Sequence, residues 1–156
     1  AAGVAADGVA WGDDPTSATL RGWALSHRDW VRADRRRFAD ARAWQGVFAD
    51  WDVVLCPAMP TVAFPHDARP MEDRTLSVDG QPVPYQAQAL WGTLATVAGL
   101  PATAAPLARA LGAPETGGLP IGLQIIGPYL EDRTPLAFAE ALEAAFGGFT
   151  PPPLTD

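Results

Sequence analysis

The sequence contains no lysine and no asparagine, and serine occurs only at Ser17, Ser26 and Ser77. All 11 basic side chains are therefore arginines. Without a lysine, the chain acting alone cannot form a Schiff base, hold a nucleotide with a P-loop lysine or use a Ser–Lys catalytic pair. These absences exclude several catalytic mechanisms for the 156 residues by themselves.

Cysteine is also scarce, since Cys56 is the only one. It cannot form an internal disulfide or build a zinc cluster, and this composition fits a reducing compartment. No run reaches roughly 18 apolar residues and residues 1–10 carry no basic group, so neither a membrane span nor a signal peptide is predicted. The net charge of −7 disfavours attraction to nucleic acid or anionic lipid. We therefore expect a soluble, cytoplasmic protein with no nucleic-acid or membrane partner.

The length and the hydrophobic content of 48% suit one globular domain. Residues 1–13 are rich in Ala, Gly and Asp and lack a period, which predicts a flexible N-terminal arm. Residues 14–148 form the predicted folded part, and residues 149–156 form a proline-rich tail. Residues 57–74 are aperiodic and punctuated by proline, and loops of this length tend to be functional or mobile.

Periodicity, caps and breakers predict alternating helices and buried strands. The predicted helices cover residues 15–25, 27–50, 85–97 and 132–146; the strands cover 52–56, 102–107 and 119–126, and a hairpin covers 75–85. Ser26 and Asp132 are the expected N-caps, and Asp79-Gly80 is the expected type I′ turn. This alternation predicts the α/β class, with a mixed sheet flanked by helices on both faces.

In the long helix over 27–50, apolar residues recur at helical spacing and predict a stripe that faces the core. The stripe comprises Phe38, Ala41, Trp44, Phe48 and Trp51. The opposite face carries charged residues, namely Arg32, Arg35, Arg36, Asp40 and Arg42. We interpret the run of three arginines at 35–37 as part of a solvated, ion-paired surface. His27 and His66 are predicted to be a first-turn surface residue and a loop residue. Cys56 ends a strand where α/β sheets place functional groups, yet free cysteines usually pack as small core residues.

Three sequence blocks occur in a distinctive order: DVVLCPAMP at 52–60, AGLPA at 98–102 followed by Pro106, and GLPIGLQIIGP at 118–128. Together they resemble the C-terminal signature of the amidase signature family, whose members hydrolyse or transfer carboxamides. Asp132 with the closing helix, and the arginine-rich helix before the first block, also match this pattern. The resemblance covers residues 15–147 and implies that residues 14–148 are the C-terminal part of an amidase-signature domain.

The resemblance implies a mechanism whose residues this chain does not contain. Family members use a serine nucleophile, a second serine with a cis peptide bond as a proton relay, and a lysine as the base. A Gly/Ser-rich loop supplies backbone amides that stabilise the oxyanion. All of these groups precede the matched part, and neither metal nor organic cofactor is implied. We therefore expect no catalytic residue here and no activity of the chain alone.

The matched part can contribute a wall of the substrate pocket. Ala89, Gly92, Thr93 and Thr96 share one face of the predicted helix over 85–97. In the family, the positions of Ala89 and Thr93 line the substrate cavity, whereas the position of Thr96 is commonly Asn. Alanine at 89 offers no carboxylate, which favours a neutral or apolar amide over one with an ammonium group. The alternative is that this small-residue face lets the helix lie close to the sheet.

Three functions remain open from the sequence. The first is the C-terminal region of an amidase that acts on a small-molecule amide. The second is a fragment of an amidotransferase subunit that feeds ammonia to a partner, against which Ala89 argues weakly. The third is a non-catalytic binding or assembly module. A partial sheet with an unpaired edge also predicts a homo-oligomer formed through that edge.

Overall fold

The computed structural model describes residues 15–111 and 117–152. The predicted arm over 1–13 and the end of the predicted tail, 153–156, lie outside the described residues. Four α-helices are described: α1 (Pro15–Trp23), α2 (His27–Val47), α3 (Leu90–Ala98) and α4 (Arg133–Phe146). The strands are β1 (Val54–Pro57), β2 (Thr75–Val78), β3 (Gln81–Pro84), β4 (Ala102–Arg109) and β5 (Pro120–Ile126). Short 3₁₀ helices occur at Met71–Asp73 and Tyr85–Ala89.

The main sheet has the order β1-β5-β4, and both pairings are antiparallel. Strand β5 is central, and Gln124 lies opposite Cys56 on one side and Ala104 on the other. Strands β2 and β3 form a separate antiparallel hairpin. Among the described strands, β1 and β4 each therefore have one unpaired edge.

The core lies on both faces of β5, where the adjacent residues Ile125 and Ile126 are fully buried. Successive strand residues point to opposite faces, so these two side chains serve different layers. Ile126 joins a cluster with Cys56 of β1 and with Ala95 and Ala98 of α3. Helix α4 is absent from that cluster and packs on β4 and β5, which places it on the other face. The α/β class with helices on both faces is confirmed, whereas the described main sheet is antiparallel throughout and not mixed.

Several local signals in the sequence are confirmed in the structure. The Ser26 hydroxyl accepts a hydrogen bond from the Asp29 amide at 3.2 Å and caps α2. The hairpin turn has positive φ at Asp79 (51°) and Gly80 (76°), as a type I′ turn requires. Gly99 ends α3 in the left-handed conformation. Asp132 occupies the expected N-cap position of α4, but its side chain makes no capping hydrogen bond.

The predicted core-facing stripe of α2 is wrong over most of its length. Phe38 is 54% exposed and Trp51 is 68% exposed, and only Trp44 and Phe48 pack against the core cluster. The reason is a mismatch of lengths. Helix α2 has 21 residues, about 31 Å, whereas its partner α3 has nine, about 14 Å. More than half of the length of α2 therefore exceeds what α3 can cover.

The predicted helix over 85–97 is two elements, a 3₁₀ helix (Tyr85–Ala89) followed by α3. Tight 3₁₀ turns are frequent at the N-terminus of an α-helix, and neither segment begins with a side-chain cap. The strand predicted at 52–56 is observed at Val54–Pro57. Among the residues that the structure describes, no helix is both long enough and apolar enough to cross a bilayer.

Candidate functional site

The side chain of Gln124 connects three elements at the centre of the fold. Its Nε2 donates one hydrogen bond to the main-chain carbonyl of Trp91 at 3.0 Å and another to Cys56 Sγ at 3.1 Å. The two N–H groups of a primary amide are thus both used, and a cysteine sulfur is the weaker of the two acceptors. Gln124 therefore ties the first turn of α3 to β5 and to β1.

Two glycines of the GLPIGLQIIGP block allow close packing around this connection. A Cβ added at Gly122 would lie 3.2 Å from Ala58 Cβ, at the end of β1. A Cβ at Gly127 would lie 2.6 Å from Cδ of Pro135, a fully buried residue in the first turn of α4. At these two positions the block therefore packs closely against the segment that follows β1 and against the first turn of α4, with little room for a larger side chain.

The predicted pocket residues lie on and just before α3. Ala89 is the last residue of the 3₁₀ helix and is exposed, as are Thr93 and Thr96, while Gly92 is half-buried. The side of α3 that packs toward the sheet carries the buried residues Ala95 and Ala98 instead.

The alternative interpretation, that the small residues let the helix lie close to the sheet, finds no support at Gly92. A Cβ added at Gly92 would have no neighbour within 4 Å. The face formed by residues 89, 92, 93 and 96 is thus open and points away from the core.

The hydroxyl groups on this face bond within their own helix. Thr93 Oγ1 donates to the carbonyl of Leu90 at 2.6 Å, and Thr96 Oγ1 donates to the carbonyl of Gly92 at 2.9 Å. Each hydroxyl oxygen can still accept a hydrogen bond, but its proton is already engaged. The face therefore presents methyl groups and hydrogen-bond acceptors, and it carries no charge.

A second group of polar residues lies in the long, proline-punctuated loop between β1 and β2. Arg69 donates hydrogen bonds to the Asp67 carboxylate from two nitrogens. Its Nη2 lies 2.6 Å from Oδ2, and its Nε lies 3.0 Å from both oxygens. These hydrogen bonds lower the pKa of Asp67 from 3.8 to about 2. Next to this pair, Arg74 Nε donates to the carbonyl of Arg69 at 2.6 Å.

The remaining residues singled out from the sequence lie where they were expected. His27 is an exposed residue at the start of α2, and His66 is an exposed loop residue. Cys56 is buried in the core, although the sequence did not reveal its contact with Gln124. Within residues 35–37, Arg37 pairs with Asp34 at 2.8 Å. The part of the chain that the structure describes has no group of three His, Cys, Asp or Glu side chains placed to hold a metal ion.

Comparison with known proteins decides the family. The sequence model of the Amidase family matches residues 15–136. The chain belongs to the amidase family. This match includes the three blocks noted in the sequence, the Gln124 connection and the open face of α3.

Relatives in the amidase family are much longer than this chain. A glutamyl-tRNA(Gln) amidotransferase subunit from Brucella suis biovar 1 is 34% identical over 123 residues, which are 78% of this chain and 22% of the relative. The corresponding subunit from Exiguobacterium sibiricum is 32% identical over 123 residues, 79% of this chain and again 22% of the relative. The chain thus spans about a fifth of the length of these curated relatives.

Two solved structures also resemble most of this chain, although the chain covers less than a third of each. A crystal structure of an amidase matches with a TM-score of 0.65 and 27% identity, over 87% of this chain and 30% of the other. A vestigial protein complex that reveals the evolutionary origins of an s-triazine catabolic enzyme matches with a TM-score of 0.64 and 27% identity, over 84% of this chain and 27% of the other. The chain therefore has the fold of one part of each of these structures and covers less than a third of either one.

Proposed function

We propose that the chain is the C-terminal region of an amidase that hydrolyses the C–N bond of a carboxamide. The observation that carries the proposal is the family match over residues 15–136 in a sequence that has no lysine. In this proposal the serine nucleophile, the relay serine and the lysine base lie N-terminal to the matched part, outside these 156 residues. The chain itself supplies the sheet core and one wall of the substrate pocket.

The pocket wall is the face formed by Ala89, Gly92, Thr93 and Thr96. Its exposure supports the proposal, because small side chains that do not pack in the core leave room for a ligand beside the helix. Gln124 supports it as well, since its bond to the carbonyl of Trp91 holds the turn from which Gly92 and Thr93 project. The uncharged surface of this wall fits a neutral or apolar amide.

A second candidate function is a segment of an amidotransferase subunit. The relatives that are glutamyl-tRNA(Gln) amidotransferase subunits, at 32–34% identity, favour it. The protein would then release ammonia from an amide and pass it to a partner protein. Against it stands Ala89, which offers no carboxylate to pair with the ammonium group of an amino-acid substrate.

The two unpaired sheet edges, at β1 and β4, suggest how the segment is completed. In the proposed whole protein, further strands or helices cover these edges and the exposed apolar residues of α2. In the isolated chain, the same edges are expected to pair between copies and form a homo-oligomer.

The reading frame that precedes the codon for Ala1 tests the proposal directly. An in-frame segment with a lysine and a Gly/Ser-rich loop is the expected finding. A start codon immediately before Ala1 would contradict the proposal and favour a non-catalytic binding or assembly module.

A further inference from the structure

A cavity of about 410 Å³ lies between the loop after β1 and the beginning of the 3₁₀ helix that precedes α3. Residues 64–68, Arg74 and Tyr85 line it. Its volume falls in the range of small-molecule sites, about 300–1,000 Å³. None of these residues belongs to the pocket wall described above, so the cavity is a separate feature of the fold.

Arg74 is the cation of this cavity, and its orientation is restrained on two sides. Its Nε donates to the carbonyl of Arg69 at 2.6 Å, and its guanidinium carbon lies 5.5 Å from the centre of the Tyr85 ring. The side chain is half-buried. Among the described residues, the side chain of Arg74 forms no ion pair and no further hydrogen bond, so its two terminal nitrogens have donors to offer.

The neighbouring acid, Asp67, makes no hydrogen bond to Arg74, although the two charges interact and Arg74 contributes to the lowered pKa of Asp67. Both oxygens of Asp67 are bonded by Arg69, at distances of 2.6 to 3.0 Å. A carboxylate held by two donors of one guanidinium has its charge matched by that partner. Arg74 therefore keeps side-chain donors that no described carboxylate binds, in a cavity that Asp67 also lines.

Two aromatic rings form part of the cavity wall beside Arg74. Phe64 and Tyr85 meet edge to face, with ring centres 5.9 Å apart and planes at 89°. Both rings are partly accessible, which leaves apolar surface beside the charge. A ligand that carries an anionic planar group on a small apolar body matches both features, because arginine recognises planar anions through paired hydrogen bonds.

We propose that this cavity binds a small carboxylate, with the carboxylate oxygens on the terminal nitrogens of Arg74 and the apolar body against Phe64 and Tyr85. The proposal goes beyond amide hydrolysis, since binding here requires no bond to break. The cavity is near the pocket wall in the fold, because Tyr85 and Ala89 are the two ends of one 3₁₀ helix, about 8 Å apart along its axis.

Benzoate and its neutral analogue benzamide test the proposal on the 156-residue chain by isothermal titration calorimetry. Benzoate is expected to bind saturably, and benzamide is expected to bind at least about tenfold more weakly, the loss that corresponds to one charge-assisted pair of hydrogen bonds. Arg74→Gln is expected to weaken benzoate binding by a similar factor. Arg133→Gln, at an exposed position on α4, is the matched control and is expected to leave binding unchanged.

Backbone NMR of the unaltered chain keeps the test independent of the folding of the variants. Benzoate is expected to shift the amide signals of residues 64–68 and of Tyr85. Equal binding of benzamide and benzoate, or benzoate-induced shifts confined to other parts of the chain, would overturn the proposal.

Discussion

Gln124 on β5 donates a hydrogen bond from its side-chain amide to the main-chain carbonyl of Trp91 on α3, at 3.0 Å, across 33 positions of sequence. The same nitrogen donates to Cys56 Sγ on β1. One side chain therefore holds the helix that carries the proposed pocket wall against two strands of the sheet. In this way the GLPIGLQIIGP block of the amidase family connects the core to the face that would meet a substrate.

Replacing Gln124 with leucine is expected to destabilise the fold by about 0.5–1.5 kcal/mol, because it removes the side-chain hydrogen bond that joins β5 to the Trp91 carbonyl of α3. Urea unfolding followed by circular dichroism measures the change. Cys56→Ala removes only the hydrogen bond to the sulfur, which is the weaker acceptor. Loss of that bond is expected to lower the free energy of unfolding by less than loss of the bond to Trp91. Gln45→Leu, on the exposed side of α2, is the control and is expected to change stability by less than about 0.5 kcal/mol. Equal effects at 124 and 45 would show that the connection is unimportant.

Gly127→Ala is expected to destabilise the fold, because the new Cβ would lie 2.6 Å from the buried ring of Pro135 and neither group can move freely. Overpacking of this kind costs about 1–3 kcal/mol. The control is Gly46→Ala on α2, where an added Cβ meets nothing within 4 Å. That variant is expected to be more stable by about 0.5–1 kcal/mol, because alanine loses less backbone entropy in a helix. Thermal unfolding of both variants compares them, and a stabilised Gly127→Ala protein would contradict the packing described.

The features that could be predicted from the sequence are those with a local physical cause. Ser26 caps α2 because its hydroxyl reaches an amide three residues away, and Asp79-Gly80 forms its turn because both positions need positive φ. The exposure of Phe38 and Trp51 could not be predicted in this way. Periodicity shows which side of a helix is apolar, but burial depends on the length of the element that lies opposite.

Only part of the candidate site could be predicted from the sequence. Helical spacing placed residues 89, 92, 93 and 96 on one face, and the resemblance to the family suggested their role. The bond between Gln124 and Trp91 joins residues on a strand and a helix that are distant in sequence, so no local pattern reveals it. The same holds for Arg74, whose orientation depends on the carbonyl of Arg69 and the ring of Tyr85.

Acid titration tests the ion pair between Asp67 and Arg69. Arg69 lowers the pKa of Asp67 from 3.8 to about 2, mainly through side-chain and backbone hydrogen bonds. Because the pKa is lower in the folded state, the pair stabilises the fold above pH 3.8, and this contribution is lost as the pH falls through about 2. Asp67→Asn is therefore expected to reduce stability at neutral pH, with the difference from the unaltered chain vanishing toward pH 2.

NMR of the Asp67 carboxyl carbon measures the titration itself. A midpoint near 2 is expected in the unaltered chain, and Arg69→Gln is expected to move it back toward 3.8. Arg133→Gln, on the exposed surface of α4, is expected to leave it in place. A midpoint that does not respond to Arg69→Gln would contradict the assignment of the shift to this arginine.

Ala89→Asp, in the protein encoded by the complete reading frame, tests whether residue 89 selects the substrate. The added carboxylate is expected to raise kcat/KM for amides with an ammonium group, relative to neutral amides, by up to about fivefold. That factor corresponds to an exposed ion pair of up to about 1 kcal/mol. Ala137→Asp, on the exposed side of α4, is the matched control and is expected to leave the preference unchanged. An unchanged preference in Ala89→Asp would remove residue 89 from the proposed wall.

The most direct test of the central claim is an assay of ammonia release from a panel of neutral and amino-acid amides. The 156-residue chain is assayed beside the protein encoded by the complete reading frame. The account predicts release by the longer protein and none above buffer by the chain alone, because the chain has no lysine to serve as the base. Amide hydrolysis by the isolated chain would contradict the claim that the catalytic residues lie outside it.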